Sequence, residues 1–167
     1  MWPEDATFFF HMILLPAFKS ECEITGKVIE AVPEDQTGYS PDAIARNAGD
    51  LVRHIINFEK TVVDGVIAAR FDWDGVLPQV GDLRELAVWY SKHLDRQLDE
   101  LQQFPGEWLV RPLTLSGKPT PGVLCLQFAL NHTIHHRGQL ATYLRTIGAC
   151  VPSIYGQSFG CSSVTTR

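Results

Sequence analysis

The sequence predicts an all-α fold, a four-helix bundle, on three observations. Four long stretches place apolar residues at intervals of three and four, the spacing of a helix buried along one face. Prolines punctuate the ends of these stretches, with Pro16 the exception. The sequence has no clear strands: the β-prone Leu113-Thr114-Leu115 is too short to build a sheet. At 167 residues the chain has the length of a single domain spanning 1–167, with an irregular tail expected from about 149.

The first helix is expected from about Asp5 to Ala31, with Phe8, Met12, Leu15, Phe18, Cys22 and Val28 inside and a kink at Pro16. Pro33 and the run Gln36 to Pro41 end it. A second helix is expected from Pro41 to Ala69, with Ser40 as its N-cap and a stripe through Ala48, Leu51, Ile55, Phe58, Val62 and Val66. The third follows from Asp82, as N-cap, to Phe104, through Leu83, Leu86, Tyr90, Leu94 and Leu101. The segment from Pro105 to Pro119 reads as a link with a turn at Gly117. The fourth helix starts at Thr120 as N-cap with Pro121 first, and stops at Gly148 and Pro152.

Composition narrows the function. Hydrophobic residues make up 45% and charged residues 20%, the balance of an ordinary globular protein. A net charge of -5, with the basic residues scattered, argues against nucleic acid or an anionic membrane as the partner. Glu4 and Asp5 stand where a signal peptide would carry positive charge, and the apolar run Phe8 to Phe18 is too short to span a bilayer. Cys22, Cys125, Cys150 and Cys161 show no CxxC spacing and read as reduced thiols, Cys161 the most exposed. A cytoplasmic location is expected.

The chemistry concentrates in the run Asn131 to Gln139. His132 and His136 are four apart, hence on one helix face, a spacing that lets two imidazoles meet one metal ion. In the row Leu124, Phe128, His132, His136, Leu140, Leu144, Ile147 they interrupt an apolar stripe, which predicts that they lie mid-core. His54, three after Leu51 and four before Phe58, also faces inward. A single histidine on an apolar face is more often a satisfied core residue than a ligand, but three inward-facing ones shift the balance to a metal site. Three neutral ligands leave the ion its full charge and an open position.

The surrounding residues complete that expectation. Gln139 and Tyr143 continue the face of His136 and line the pocket, while Asp50 either orients His54 or is a solvated charge. His135 leans about 100° away from His136, and His11 and His93 sit at stripe edges. Thr133 occupies the place of the zincin glutamate, and no Glu-x-x-His pair occurs. Glu59 is expected in solvent, and Gly138 at a close helix approach.

The pattern Tyr39-x-Pro41, Ala45-Arg46, Leu51-x-x-His54, His132-x-x-x-His136-Arg137-Gly138-Gln139-Leu140, Tyr143-Leu144-Arg145 and Val151-Pro152-x-x-Tyr155-Gly156 resembles the DinB / YfiT-like family of metalloenzymes over nearly the whole chain. The tail departs from it at Gln157-Ser158-Phe159-Gly160-Cys161, where relatives carry Pro-Ser and acidic residues. The resemblance implies up-down-down-up topology, a homodimer, and a nickel or zinc ion on His54, His132 and His136. Exposed Trp73, Val76 and Trp89 would suit the dimer contact. It also implies thiol chemistry, since characterised relatives include thiol-dependent S-transferases and an isomerase that uses a low-molecular-weight thiol. The expected function is therefore metal-dependent activation of a thiol or water against a small electrophilic substrate. The alternatives are a metal-dependent hydrolase and a non-catalytic, metal-stapled stress or sensor protein.

Overall fold

The structure, a computed structural model, describes residues 1–158. Its first rod joins α1 (Pro3–Phe9) and α2 (Leu15–Glu30) through a π-helical turn, Phe10–Leu14. The expected kink at Pro16 takes this form. A proline ring would press on the carbonyl one turn back, and the wider turn, with the Leu15 N–H bonded to the Phe10 carbonyl, makes room for it. The bulge also re-aims the side chains. Ala6, Phe10 and Leu14 are the buried positions, while Phe8 and Met12, expected inside, are exposed.

The second helix starts later than expected. Residues 41–45 form bends in which Asp42 Oδ1 accepts the Ile44 and Ala45 N–H groups, each at 2.8 Å. This local side-chain capture competes with helix. The helix, α3 (Ala48–Ala68), is capped by Asn47, whose side chain accepts from the Asp50 N–H at 2.8 Å. It ends at Ala69 in the left-handed region, with φ 57°. Gly65 permits that ending: a Cβ there would lie 2.2 Å from the Phe71 ring, which folds back over the last turn.

The third helix, α4 (Leu83–Leu101), begins at the Asp82 cap as read from the sequence, and its stripe through Leu86, Tyr90, Leu94, Leu98 and Leu101 is buried. The following link holds more order than expected. A short α5 (Gly106–Leu109) leads into a hairpin of β1 (Pro112–Leu115) and β2 (Lys118–Pro121), with Leu113 opposite Thr120. Ser116 and Gly117 turn it with φ 50° and 78°, the positive pair that matches strand twist in a two-residue loop. Thr120 is thus in a strand, and α6 (Gly122–Thr146) is preceded by Pro121 as its N-cap.

Contacts between the bundle helices fix their directions. Lys19 pairs with Asp99 while Gly26 faces Ser91, so α2 and α4 are antiparallel. Glu59 meets Tyr90 and Asp64 meets His93 and Gln97, so α3 and α4 are parallel. His54 meets His136 and Phe58 meets His132, so α3 and α6 are antiparallel. The bundle is up-down-down-up. α2 and α3 each pack on both α4 and α6, around a core that includes Phe18, Ile29, Leu51, Ile55, Leu98, Leu126 and Leu144. No helix among the described residues is long and apolar enough to cross a membrane. Cys22 and Cys125 are buried free thiols. Cys150 is disulfide-bonded, which corrects its reading as a reduced thiol, and Cys161 lies outside the described residues.

Candidate metal centre

The antiparallel pairing of α3 and α6 brings three imidazoles together. One nitrogen from each of His54, His132 and His136 lies within 4.8 Å of the other two. The Nε2 atoms of His54 and His136 are 3.3 Å apart. Two nitrogens bound at about 2.0–2.1 Å to a tetrahedral zinc would stand about 3.4 Å apart, so this pair already has the separation a shared ion needs. The donor set suits a borderline divalent ion, and the cluster is compatible with metal binding.

The tautomer of His136 follows from a chain of hydrogen bonds. The Arg46 carbonyl can only accept, so the Tyr143 hydroxyl donates to it, at 3.2 Å. Tyr143 in turn accepts from Gln139 Nε2 at 3.0 Å, which turns Gln139 Oε1 toward His136 Nδ1, also at 3.0 Å. Nδ1 must therefore carry the proton, leaving the Nε2 lone pair facing His54. Gln139 and Tyr143 are thus hydrogen-bonded in series behind His136, an arrangement of the kind that orients an imidazole toward a metal.

The site lies at the lip of the core, which corrects the expectation that the pair sits mid-stripe. All three histidines are half-buried, and Leu124 and Phe128, two turns and one turn before His132 on the same row, are 39% and 47% exposed. The buried row of α6 is the neighbouring one: Leu126, Leu130, Thr133, Arg137, Leu140 and Leu144. His132 stacks on Phe58 at 3.8 Å, and its Nδ1 is buried without a partner. Burial, then Arg46 and His136, push the His54 imidazole down to about 4. Burial and the neighbouring His136, His54, His135 and Arg46 push His132 down to about 3. Both rings are neutral near pH 7 and ready to donate to a cation.

Comparison with known proteins agrees with the fold. The family model described as "DinB family" matches residues 10–163. The chain belongs to the DinB family. An uncharacterized protein, YjoA of Bacillus subtilis (strain 168), is 29% identical over 147 residues, covering 84% of this chain and 92% of its own. The crystal structure of that DinB-like protein superposes with a TM-score of 0.73 at 26% identity, covering 87% of this chain and 99% of the other. A DinB-like protein from Bacillus cereus ATCC 10987 superposes with a TM-score of 0.72 at 22% identity, covering 85% and 95%, and supports the fold alone.

Other residues singled out in this DinB chain find different places. Asp50 binds Asn47 Nδ2 at 2.7 Å, next to the helix cap, with no recorded bond to His54. Gly138 is exposed, with nothing within 4 Å of an added Cβ, so the expected close approach is absent. His135 points outward, and His93 binds Asp64 at 2.9 Å. Glu59 is the largest departure. It is 1% exposed instead of solvated, and it accepts from the Tyr90 hydroxyl. Burial pushes its carboxyl up to about 7, against the pull of Tyr90, Thr133 and Arg137. Arg137 is also buried, pairing with Glu21 and donating to Thr25 at 3.3 Å and to the Tyr155 hydroxyl at 2.8 Å. The sequence signal for both was their register: each falls on a buried helical row, Glu59 after Ile55 and Arg137 after Thr133.

Proposed function

We propose that the chain is a divalent-metal-dependent enzyme of the thiol-transferase kind, with His54, His132 and His136 as ligands to zinc or nickel. The observation that carries this reading is the 3.3 Å approach of the Nε2 atoms of His54 and His136, the second of which the hydrogen-bond relay leaves with its lone pair free. A bound ion supplies Lewis acidity and lowers the pKa of a thiol at its open position. The chain's own residues do the rest. Gln139 holds His136 in its ligating tautomer, Phe58 fixes the plane of His132, and burial keeps His54 and His132 unprotonated. Among the described residues the cluster holds no carboxylate to serve as a general base, which favours a thiol, with a free pKa of about 8.5, over water, at about 15.7, as the group that gives up its proton.

Cobalt substitution tests the reading. One cobalt per chain should bind, and adding N-acetylcysteine should produce a thiolate-to-cobalt charge-transfer band. Stoichiometric cobalt with no such band would sink the thiol route and leave the metal site standing. The same reading includes a small electrophilic substrate and a homodimer. Val76 and Trp73 are 81% and 51% exposed and supply apolar contact area, whereas Trp89 is half-buried and stacked on His93. Sedimentation at high micromolar concentration should give twice the 18.7 kDa chain mass; a monomer there removes the dimer from the proposal.

A further inference from the structure

The row of α6 that carries the histidines has an apolar half. Leu124 and Phe128 are exposed and precede His132 by two turns and one turn on the same helix face. Phe58 of α3 joins that row to the segment after α3. Its ring stacks on His132 at 3.8 Å, with Phe128 at 5.9 Å and Trp73 at 5.8 Å. Trp73 is exposed too, backed by Phe71 at 5.4 Å, and Phe58 is only half-buried. These rings make an aromatic shelf that begins in solvent and ends at a histidine of the cluster. We propose that the shelf seats an aromatic ring of the electrophile that reacts at the histidines. It rests on the reading above for the reaction, but not for the ring's place on the shelf.

Three observations favour that occupant. The first is geometry. Trp73 and Phe128 are tilted on Phe58, at 44° and 56°, so each keeps ring surface for a further offset-stacked or edge-to-face partner. The second is size. At about 150–250 Å² for a whole aromatic side chain, the exposed parts of Phe128 and Trp73 offer on the order of 200 Å² together, against about 800 Å² per partner in a stable protein interface. One ring fills the shelf, whereas a protein partner would need several times its area. The third is chemistry. None of the shelf residues is charged, and an aromatic carbon becomes electrophilic when its ring is electron-poor, which suits it to the electron-rich faces of indole and phenyl. Phe128 stands one turn, about 5.4 Å along the axis, from His132, so a ring seated there holds its substituent beside the cluster. A second copy of the chain is the competing occupant, since Trp73 also offers apolar area to a dimer.

1,3-Dinitrobenzene is an electron-poor ring without a leaving group, so it tests the shelf by itself. Titrated into the full chain, metal-free and zinc-loaded, it should move the indole N–H signal of Trp73 and the amide signals of Phe58 and Phe128, and leave the exposed Trp2 unmoved. Phe128→Ala should weaken binding about tenfold, the loss of one aromatic contact with its area, and Trp73→Leu should weaken it as well. Phe8→Ala, at an exposed phenylalanine on α1, should change nothing. An unmoved Trp73 signal, equal affinity in wild type and Phe128→Ala, or an equal loss in Phe8→Ala overturns the proposal. Affinity that falls as chain concentration rises would give the shelf to a second copy and overturn it too. N-acetylcysteine with 1-chloro-2,4-dinitrobenzene then separates the two readings. In that transfer the thiolate sulfur bonds the ring carbon, chloride leaves with the bonding pair, and the thiol proton passes to solvent. A zinc-loaded chain that seats dinitrobenzene on the shelf but does not speed the transfer sinks the thiol reading and leaves the shelf standing.

Discussion

His136→Ala is expected to abolish metal-dependent stabilisation while leaving helical content intact. A metal that binds the folded bundle at about a thousand times its dissociation constant adds about 4 kcal/mol, which for a chain of this size raises the melting temperature on the order of 10 °C. Removing His136 takes away the nitrogen that the Gln139–Tyr143–Arg46 relay positions, and with it one of the three proposed ligands. The fold should survive because the buried row of α6 runs through Leu126, Leu130, Leu140 and Leu144 and not through His136. Melting curves of metal-free wild type and variant, each titrated with zinc, decide the matter. Equal zinc-induced shifts would make His136 a structural histidine.

Acid should act on the same cluster. An unfolded histidine titrates near 6.5, whereas His54 and His132 titrate at about 4 and 3 in the fold. Between these values the unfolded chain binds more protons, so the stability these two neutral rings supply is present above about pH 6.5. It is lost as pH falls through 4 to 3. Metal-free wild type should therefore lose stability across this window, and His54→Gln and His132→Gln should each flatten the slope. A slope unchanged in both variants would show that the two rings are protonated as easily in the fold as in water.

The fold was legible because each of its four long helices carries a clear apolar row, and the trio was legible because histidines at i,i+4 are rare in such a row. Register was harder to read. On α6 the rows through Leu124 and Leu126 are both apolar, so periodicity could not say which one the bundle buries. The structure buries the second and leaves the histidines half-exposed at the lip. The same ambiguity concealed Arg137, one position beyond His136. Glu59 was hidden for another reason: a carboxylate on a helix normally faces water, and only the partner Tyr90, from a helix distant in sequence, makes its burial tolerable. The late start of α3 followed from Asp42 capturing two backbone N–H groups, a local competition that Ser40-Pro41 outweighed as a sequence signal.

Arg137→Met is expected to cost about 3–5 kcal/mol, the penalty for breaking a buried ion pair from one side. Arg137 is 2% exposed and ties three parts of the chain together: Glu21 and Thr25 on α2, and the Tyr155 hydroxyl of the C-terminal segment, which itself donates to Glu21 at 2.9 Å. Methionine fills much of the volume but leaves Glu21 without its cation, and Glu21 and Glu59 then act on each other with no positive charge to offset them. That gives the loss a pH signature. Glu59 is protonated in the fold up to about 7 but only to 4.5 when unfolded, so the stability tied to its proton is present below 4.5 and is lost as pH rises through 7. Without Arg137 its folded pKa rises further, and the variant should be hurt more at pH 8 than at pH 5. Glu21→Gln in the Arg137→Met background should recover part of the loss, since the stranded carboxylate is then gone. Denaturant unfolding of the two single variants and the double variant at both pH values measures this coupling. Strictly additive losses, equal at pH 5 and pH 8, would reduce Arg137 to a space-filling residue and leave the Tyr155 strap unexplained.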